Sequence, residues 1–178
     1  MKKLLASLLC VALCLTLSGC LVIEDTPSKV QGGAETSVKN SAQAKEDIYS
    51  LNESAVFDDL KFTATEIKQT NGTDFFTPEK GNVFVGVKFT VENISDEEQS
   101  VSSLLSFEGY VDDVKCDYSL SAACAFDEGT LDGSIAPGKK LVGWYALEVP
   151  NNWEEVEIDI NANLFSSSPA KYVFKKGE

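Results

Sequence analysis

Residues 83–92 constrain the fold of this chain more than any other segment. Every second residue in this segment is large and apolar, and these residues are Val83, Val85, Val87, Phe89 and Val91. A repeat of two residues places alternate side chains on opposite faces of an extended strand. The pattern therefore predicts a half-buried β-strand that gives one face to a hydrophobic core.

Strand-like segments recur from about residue 54 to the C-terminus, and turn-forming residues separate them. Val156, Ile158 and Ile160 alternate with acidic residues, and residues 140–149 form an apolar run that ends at Pro150. No window has a sustained helical period. Seven or eight short strands at regular spacing predict an all-β fold, an immunoglobulin-like antiparallel β-sandwich over residues 53–178.

The N-terminus has the pattern of an export signal. Lys2 and Lys3 precede an uncharged run that ends in Leu17-Ser18-Gly19-Cys20. These four residues resemble the lipobox of bacterial lipoproteins, which implies that residues 1–19 are cleaved and that Cys20 carries a diacylglycerol anchor. The alternative is an uncleaved membrane anchor, although the uncharged run reaches the necessary length of about 20 residues only by continuing to Ile23. Both interpretations predict an outward-facing protein on the cell membrane.

Residues 20–52 differ in composition from the rest of the chain. Small and polar residues alternate with scattered charges, and Tyr49 is the only aromatic residue among them. Such a segment buries too little apolar surface to offset its ordering entropy. It is predicted to be a flexible lipid-anchored tether spanning roughly 30 Å, which we expect protease to remove first. A short helix within residues 34–48 is the alternative.

The acidic character of the chain argues against nucleic acid as a partner. The formal charge of −13 becomes −15 when residues 1–19, which carry two lysines and no acids, are removed. This charge repels phosphate backbones and anionic headgroups. It favours a soluble extracellular domain over one that recognises a basic ligand.

The residue inventory argues against an enzyme. The absence of histidine excludes histidine-based triads and zinc sites, so we expect no metal and no cofactor. Residues 168–171 fit Ser-x-x-Lys, but the partner motifs of that catalytic family are absent. Paired acids such as Asp112-Asp113 fall at strand ends, where solvated turn residues are expected. Residues 127–133 lack the oxygen ligands of a calcium loop.

Cys116 and Cys124 are the two cysteines that remain for the folded domain, and they suggest a tentative disulfide. In one continuous strand these positions would lie about 27 Å apart, whereas a bridge needs alpha-carbons within roughly 7 Å. A chain reversal near residues 117–121 would be required. Two separate thiols are the alternative.

The segment 140–149 is apolar on both faces. Tyr145 lies on one face and Trp144 on the other. If the second face is open, these two residues form a tentative partner-binding site with Trp144 as its anchor. The alternative is that a loop covers this face, as monomers seldom expose such patches. Trp153 is predicted to cap one end of the sandwich.

Several strand and turn signatures together resemble a known family. The signatures are residues 81–87 running into Val91-Glu92-Asn93-Ile94-Ser95, residues 135–139, and Leu147-Glu148-Val149-Pro150. They resemble bacterial lipoprotein domains catalogued as a domain of unknown function, similar to the telokin-like immunoglobulin sandwich of a mycobacterial secreted immunoprotective antigen. The resemblance implies a fold and brings no catalytic residue.

These observations favour a cell-surface lipoprotein that presents a non-catalytic interaction module. We expect its partners to be the membrane, through lipid on Cys20, and an unidentified extracellular protein, peptide or wall polymer. A ligand-capturing lipoprotein that serves a transporter or sensor is the alternative, and that function would need a deep pocket.

Overall fold

The computed structural model describes residues 28–30, 48–161 and 168–177. Twelve strands and one short helix occupy these ranges, so short edge strands raise the strand number above the seven or eight predicted. The elements are β1 (Ser28–Val30), β2 (Ile48–Tyr49), β3 (Ser54–Val56), β4 (Leu60–Thr70), β5 (Asn82–Asn93), β6 (Gln99–Val101), β7 (Phe107–Val111), β8 (Val114–Cys116), α1 (Leu120–Ala123), β9 (Gly133–Ile135), β10 (Lys140–Pro150), β11 (Glu155–Ile160) and β12 (Ala170–Lys175).

Two five-stranded sheets form the fold, which confirms the predicted antiparallel β-sandwich. The first sheet has the order β1-β3-β4-β5-β10, and the second has the order β2-β12-β11-β7-β8. β6 and β9 form a separate pair. All of these pairings are antiparallel except that of β2 with β12, which is parallel. The inner faces of the two sheets enclose the main core, whose largest side chains include Tyr49, Phe62, Phe89, Tyr145, Tyr172 and Phe174.

β5 and β10 form a long strand pair at one side of the first sheet, where β10 is the edge strand. Their ladder runs without interruption from Glu92 opposite Lys140 to Asn82 opposite Pro150. The alternating residues of β5 that were predicted to face the core are all buried, which confirms the strand and its period. Phe84, on the opposite face, is buried as well. The outer face of β5 is therefore covered in part.

The domain begins earlier than predicted. β1 and β2 lie within residues 20–52, the range predicted to be a flexible tether. Tyr49 is wholly buried, and its ring stacks on Tyr172 at 5.1 Å between centroids. The Lys29 ammonium lies 2.8 Å from the Glu53 carboxylate. A start of the domain at residue 53 is therefore too late. The predicted signal peptide and Cys20 lie outside the described residues.

The strand directions define two ends of the sandwich. The connections at residues 57–59, 94–98 and 136–139 lie at one end, called here the entry end because the chain reaches β1 there. The connections at residues 71–81, 112–113 and 151–154 lie at the other, called here the hairpin end. The ten residues of β4 from Lys61 to Thr70 separate the ends by about 30 Å.

Asn93 fixes the entry end. Its side chain is fully buried, and its amide donates to the carbonyl oxygens of Glu97 and Ile135 at 2.7 Å each. Its Oδ1 atom accepts hydrogen bonds from the backbone and the hydroxyl of Ser95. A single side chain thus orders the turn after β5 and joins it to β9.

Tyr172 connects the two sheets through polar contacts inside the core. It lies on β12, and its hydroxyl accepts from the backbone N–H of Ala55 at 3.0 Å. The same hydroxyl donates toward the carbonyl oxygens of Phe62 at 2.9 Å and Glu53 at 3.1 Å. Burial raises the pKa of Tyr172 well above its ordinary value, so the hydroxyl keeps its proton at neutral pH.

We predict that Tyr172→Phe lowers the free energy of unfolding by about 1–3 kcal/mol, because buried backbone groups of β3 and β4 lose their partner. Denaturant unfolding followed by tryptophan fluorescence measures the change. Tyr110→Phe is the matched control, since its hydroxyl contacts Glu108 at a partly exposed site and its removal should cost less than about 0.5 kcal/mol. Equal costs for the two variants would contradict the assigned role of Tyr172.

Candidate functional site

Trp144 is not an exposed partner anchor. It is only 3% exposed and lies in a second apolar cluster on the outer face of β5 and β10. Residues 117–131, called here the cover segment, run along the edge of β10 and fold over this face. The Phe126 ring stacks on the Trp144 ring at 4.7 Å between centroids. The open face on which a partner site at Trp144 depended is not present, because a loop covers it, as the alternative expectation stated.

Gly86 allows the cover segment to pack this closely. A Cβ atom at position 86 would lie 2.8 Å from the Phe126 ring and 3.0 Å from Trp144. Real Cβ atoms do not approach carbon this closely, so any side chain there would push Phe126 away. The residue opposite Gly86 on β10 is Ala146, which is also small. The two strands therefore leave a shallow depression on the sheet surface, and the Phe126 ring fills it.

Tyr145 faces the main core and is 2% exposed. Its ring packs between those of Phe107, at 5.3 Å, and Tyr118, at 5.4 Å. Burial raises the pKa of the Tyr145 hydroxyl far above its usual range. The prediction that Tyr145 binds a partner together with Trp144 is therefore wrong. Both residues are buried by internal packing, on opposite faces of one strand.

An ion pair lies at the margin of the cover segment. The Lys88 ammonium is 2.7 Å from the Glu128 carboxylate and 5.7 Å from the centroid of the Trp144 ring. The hydrogen bond to Glu128 raises the pKa of Lys88, and the same contact lowers the pKa of Glu128. Glu128 has a φ of 71°, a left-handed conformation that turns the chain back toward β10.

Cys116 and Cys124 are both free thiols in the structure, so the tentative disulfide is not formed. Cys116 ends β8, and its Sγ atom lies 3.5 Å from the carbonyl oxygen of Glu148 on β10. Between the cysteines the chain leaves the edge of the second sheet and forms α1 against the outer face of the first. Cys124, after α1, is exposed. The chain forms α1 between the two cysteines, and the two thiols lie in different environments.

An acidic groove lies on the outer face of the second sheet. It is open, has a volume of about 270 Å³, and is lined by Tyr110, Asp112, Asp113, Glu155, Glu157, Asp159 and Lys171. The Lys171 ammonium lies 2.9 Å from Glu157. The sequence signal for this groove was the alternation of acids with Val156, Ile158 and Ile160, which places the acids on one face of β11. Sequence reasoning identified the polar face but did not identify a groove.

The hairpin end exposes an aromatic pair that sequence reasoning missed. Phe75 is 90% exposed and Phe76 is 37% exposed, both in the connection between β4 and β5. The Thr73 Oγ1 atom accepts hydrogen bonds from the backbone N–H groups of both residues. The available signal was two adjacent aromatic residues between Asn71-Gly72 and Pro78, where the strand alternation has ended.

The groups needed for metal chemistry are not brought together in the described part of the chain. Over residues 28–30, 48–161 and 168–177, no three acidic or cysteine side chains are arranged to hold a metal ion. No helix in those ranges has the length and apolar character needed to cross a membrane. The chemical character of the site is that of an acidic sandwich surface with one exposed aromatic pair.

This architecture defines the class of the protein, an all-β sandwich domain with short edge strands. The chain belongs to the family described as Domain of unknown function (DUF4352), whose model matches residues 49–171. The match begins at the buried Tyr49 of β2. No curated protein sequence matches the chain.

Solved structures with the same fold include proteins of Bacillus subtilis and Clostridium difficile. An uncharacterized beta-sandwich protein of Clostridium difficile is 18% identical with a TM-score of 0.52, covering 78% of this chain and 99% of that one. The yjhA protein of Bacillus subtilis is 14% identical with a TM-score of 0.55, covering 71% and 98%. A B. subtilis protein described as a putative lipoprotein (ycdA) is 17% identical with a TM-score of 0.52, covering 66% of this chain but only 36% of that chain. At these identities the likeness concerns the fold.

We predict that Phe126→Ala, in a Trp153→Phe background, shifts the Trp144 emission maximum to the red and increases quenching by acrylamide. Removing the stacked ring opens the outer face of β10 to water while the main core stays intact. Phe76→Ala in the same background is the control, because Phe76 belongs to the hairpin end, and it should leave the Trp144 spectrum unchanged. An unchanged spectrum in Phe126→Ala would show that other residues cover Trp144.

Thiol labelling of the native protein at pH 8 should modify Cys124 well before Cys116. Cys124 is exposed, whereas burial, together with Asp117 and Glu148, raises the pKa of the Cys116 thiol and keeps it protonated. Peptide mapping by mass spectrometry assigns the label to each site. Denaturation before labelling should make the two rates similar. If both cysteines stayed unlabelled in the denatured, unreduced protein, this result would instead show that they form a disulfide.

Proposed function

We propose that this protein is a bacterial lipoprotein, anchored through Cys20 on the outer side of the cell membrane, that presents its β-sandwich as a non-catalytic interaction module. The observation that carries the anchoring proposal is the Leu17-Ser18-Gly19-Cys20 sequence after a charged start and an uncharged run. The putative lipoprotein of B. subtilis with the same fold supports it.

The surface of the domain supports an interaction module over an enzyme. The groove on the second sheet is open and shallow, and the aromatic side chains Trp144 and Tyr145 are sealed inside. Enzyme sites usually combine a deep cleft with convergent polar groups of perturbed pKa. The largest pKa changes here belong to Tyr145 and Tyr172, both in the packed core. The domain would then recognise a partner through its exposed, charged surface.

Capture of a small ligand for a transporter or sensor is less well supported. Sites that enclose small ligands typically have volumes of about 300–1,000 Å³ and bury most of the ligand. The acidic groove, at about 270 Å³, is smaller and open to solvent. We also infer kinship with the telokin-like sandwich of the mycobacterial secreted immunoprotective antigen. This inference is supported by the strand and turn signatures at residues 81–95 and 135–150.

The anchoring proposal predicts the mass of a lipid-modified N-terminal peptide and the loss of that lipid in a Cys20 variant. The membrane form should begin at residue 20 and carry a diacylglyceryl group on the Cys20 thiol, as read by mass spectrometry of the N-terminal peptide. Cys20→Ser should abolish the lipid, because the thiol is the acylated group. Cys14→Ser is the matched control within the signal and should leave the lipid in place.

Protease added to intact cells tests the orientation. An outward-facing domain should be degraded or released without cell lysis, unless an outer membrane shields it, in which case permeabilising that membrane should expose it. An unmodified Cys20 in the wild-type membrane form, or a domain that resists protease until the cytoplasm is opened, would refute the proposal.

A further inference from the structure

We propose that the hairpin end is a docking surface for a cationic, partly apolar segment of another protein. This inference deepens the proposed function and rests on it, because it names the surface and the partner chemistry of the interaction module. The surface comprises residues 71–81, the turn at residues 112–113 and the connection at residues 151–154. Contacts between Gln69, Trp153, Glu154 and Asp112 make it continuous across both sheets.

The aromatic pair supplies the apolar part of this surface. Phe75 is 90% exposed, more than any other large apolar side chain in the described residues, and Phe76 is beside it. The loop that carries them is ordered. Thr73 accepts from both of their N–H groups, and its own N–H donates to the Phe76 carbonyl oxygen at 2.8 Å. An aromatic side chain held out on an ordered loop loses little conformational entropy on binding, a property of interface anchors.

The charge around the pair selects a cationic partner. Residues 71–81, 112–113, 148–155 and 175–177 carry seven carboxylates and three lysines. The Lys176 ammonium is already placed over the Trp153 ring at 5.6 Å. An excess of exposed carboxylates beside aromatic faces attracts lysine and arginine through both charge and cation–π contacts. The same excess repels an anionic wall polymer.

The position of this surface argues against the membrane as its occupant. β1 enters from the opposite end of the sandwich, and eight residues separate Ser28 from Cys20, a reach of at most about 29 Å. A lipid on Cys20 would therefore be attached nearer to the entry end than to the hairpin end. The hairpin end lies about 30 Å farther along the strands, and its negative charge repels anionic headgroups. A second copy is also disfavoured, because two acidic ends would face each other.

Defined peptides test the proposal directly. The full chain is isolated from membranes and held in phosphatidylcholine nanodiscs. It is titrated into a fluorescein-labelled peptide of four Lys-Leu repeats, and the fluorescence anisotropy of the peptide is recorded. Empty nanodiscs are the control. We expect saturable binding that weakens at least tenfold between about 0.05 and 0.5 M salt. Four Lys-Ser repeats, which carry the same charge, should bind severalfold more weakly because they have no apolar side chains to pack on Phe75 and Phe76. Four Glu-Leu repeats should not bind.

Two pairs of variants locate the surface. Phe75→Ser with Phe76→Ser should weaken binding at least about tenfold, whereas Leu104→Ser with Leu105→Ser, equally exposed residues elsewhere, should not. Asp113→Asn with Glu154→Gln should weaken binding severalfold, and Asp58→Asn with Asp59→Asn at the entry end should have little effect. All four positions of the acidic variants are exposed, and unchanged circular dichroism confirms that the variants fold.

Several results would overturn this assignment. They are no saturable binding of the Lys-Leu peptide, equal binding of the Glu-Leu peptide, and an unchanged affinity in the phenylalanine variant. Binding to phosphatidylglycerol vesicles that depends on Phe75 would identify lipid as the occupant, and a dimer lost in the same variant during sedimentation would identify a second copy. These readouts measure binding and not Cys20 acylation, whose failure would appear separately in the mass spectrum of the N-terminal peptide.

Discussion

The ladder between β5 and β10 is the constraint on which the rest of the structure depends. Eleven residue pairs align β5 with β10, which is apolar on both faces, and an antiparallel sheet of this size can cover only one face with its partner sheet. Burying the inner face against β7, β11 and β12 builds the main core. The outer face, with Phe84 and Trp144, then has to be covered from elsewhere. The cover segment meets that need, and it occupies the chain between β8 and β9 as a result.

Two buried polar side chains fix the relative positions of strands that apolar packing alone would not determine. Hydrophobic contact holds the sheets together but specifies their relative position weakly, since apolar contacts are not directional. The Tyr172 hydroxyl bonds to backbone groups of the opposite sheet, and the Asn93 amide bonds the entry-end turn to β9. A buried polar group tolerates only the arrangement that satisfies its hydrogen bonds. These residues therefore select one registration of the sandwich from several that would bury similar apolar area.

The surface of the described residues carries charge, an open acidic groove and several exposed apolar side chains. The strongest aromatic candidates from the sequence are used in packing, which removes the deep aromatic pocket that ligand capture would need. Many of the acids lie at outward-facing strand positions, where they give the surface a negative charge. A surface of this kind is suited to recognition by contact and charge. Its aromatic pair lies at the end of the molecule that points away from the predicted anchor.

The sequence by itself determined the all-β class, the half-buried β5 with its inward residues, the turns at residues 93–98 and 112–113, and the two-faced apolar character of β10. These features are local, because strand period and turn chemistry act between residues close in the chain. The sequence did not determine that Tyr49 belongs to the core, that Trp144 is covered, or that Cys116 and Cys124 face different surroundings. Only the tertiary structure decided these points, because each depends on which distant segment packs against the residue. Tyr49 is buried by a strand more than 120 positions away, and Trp144 is buried by a segment whose own sequence has no strong pattern.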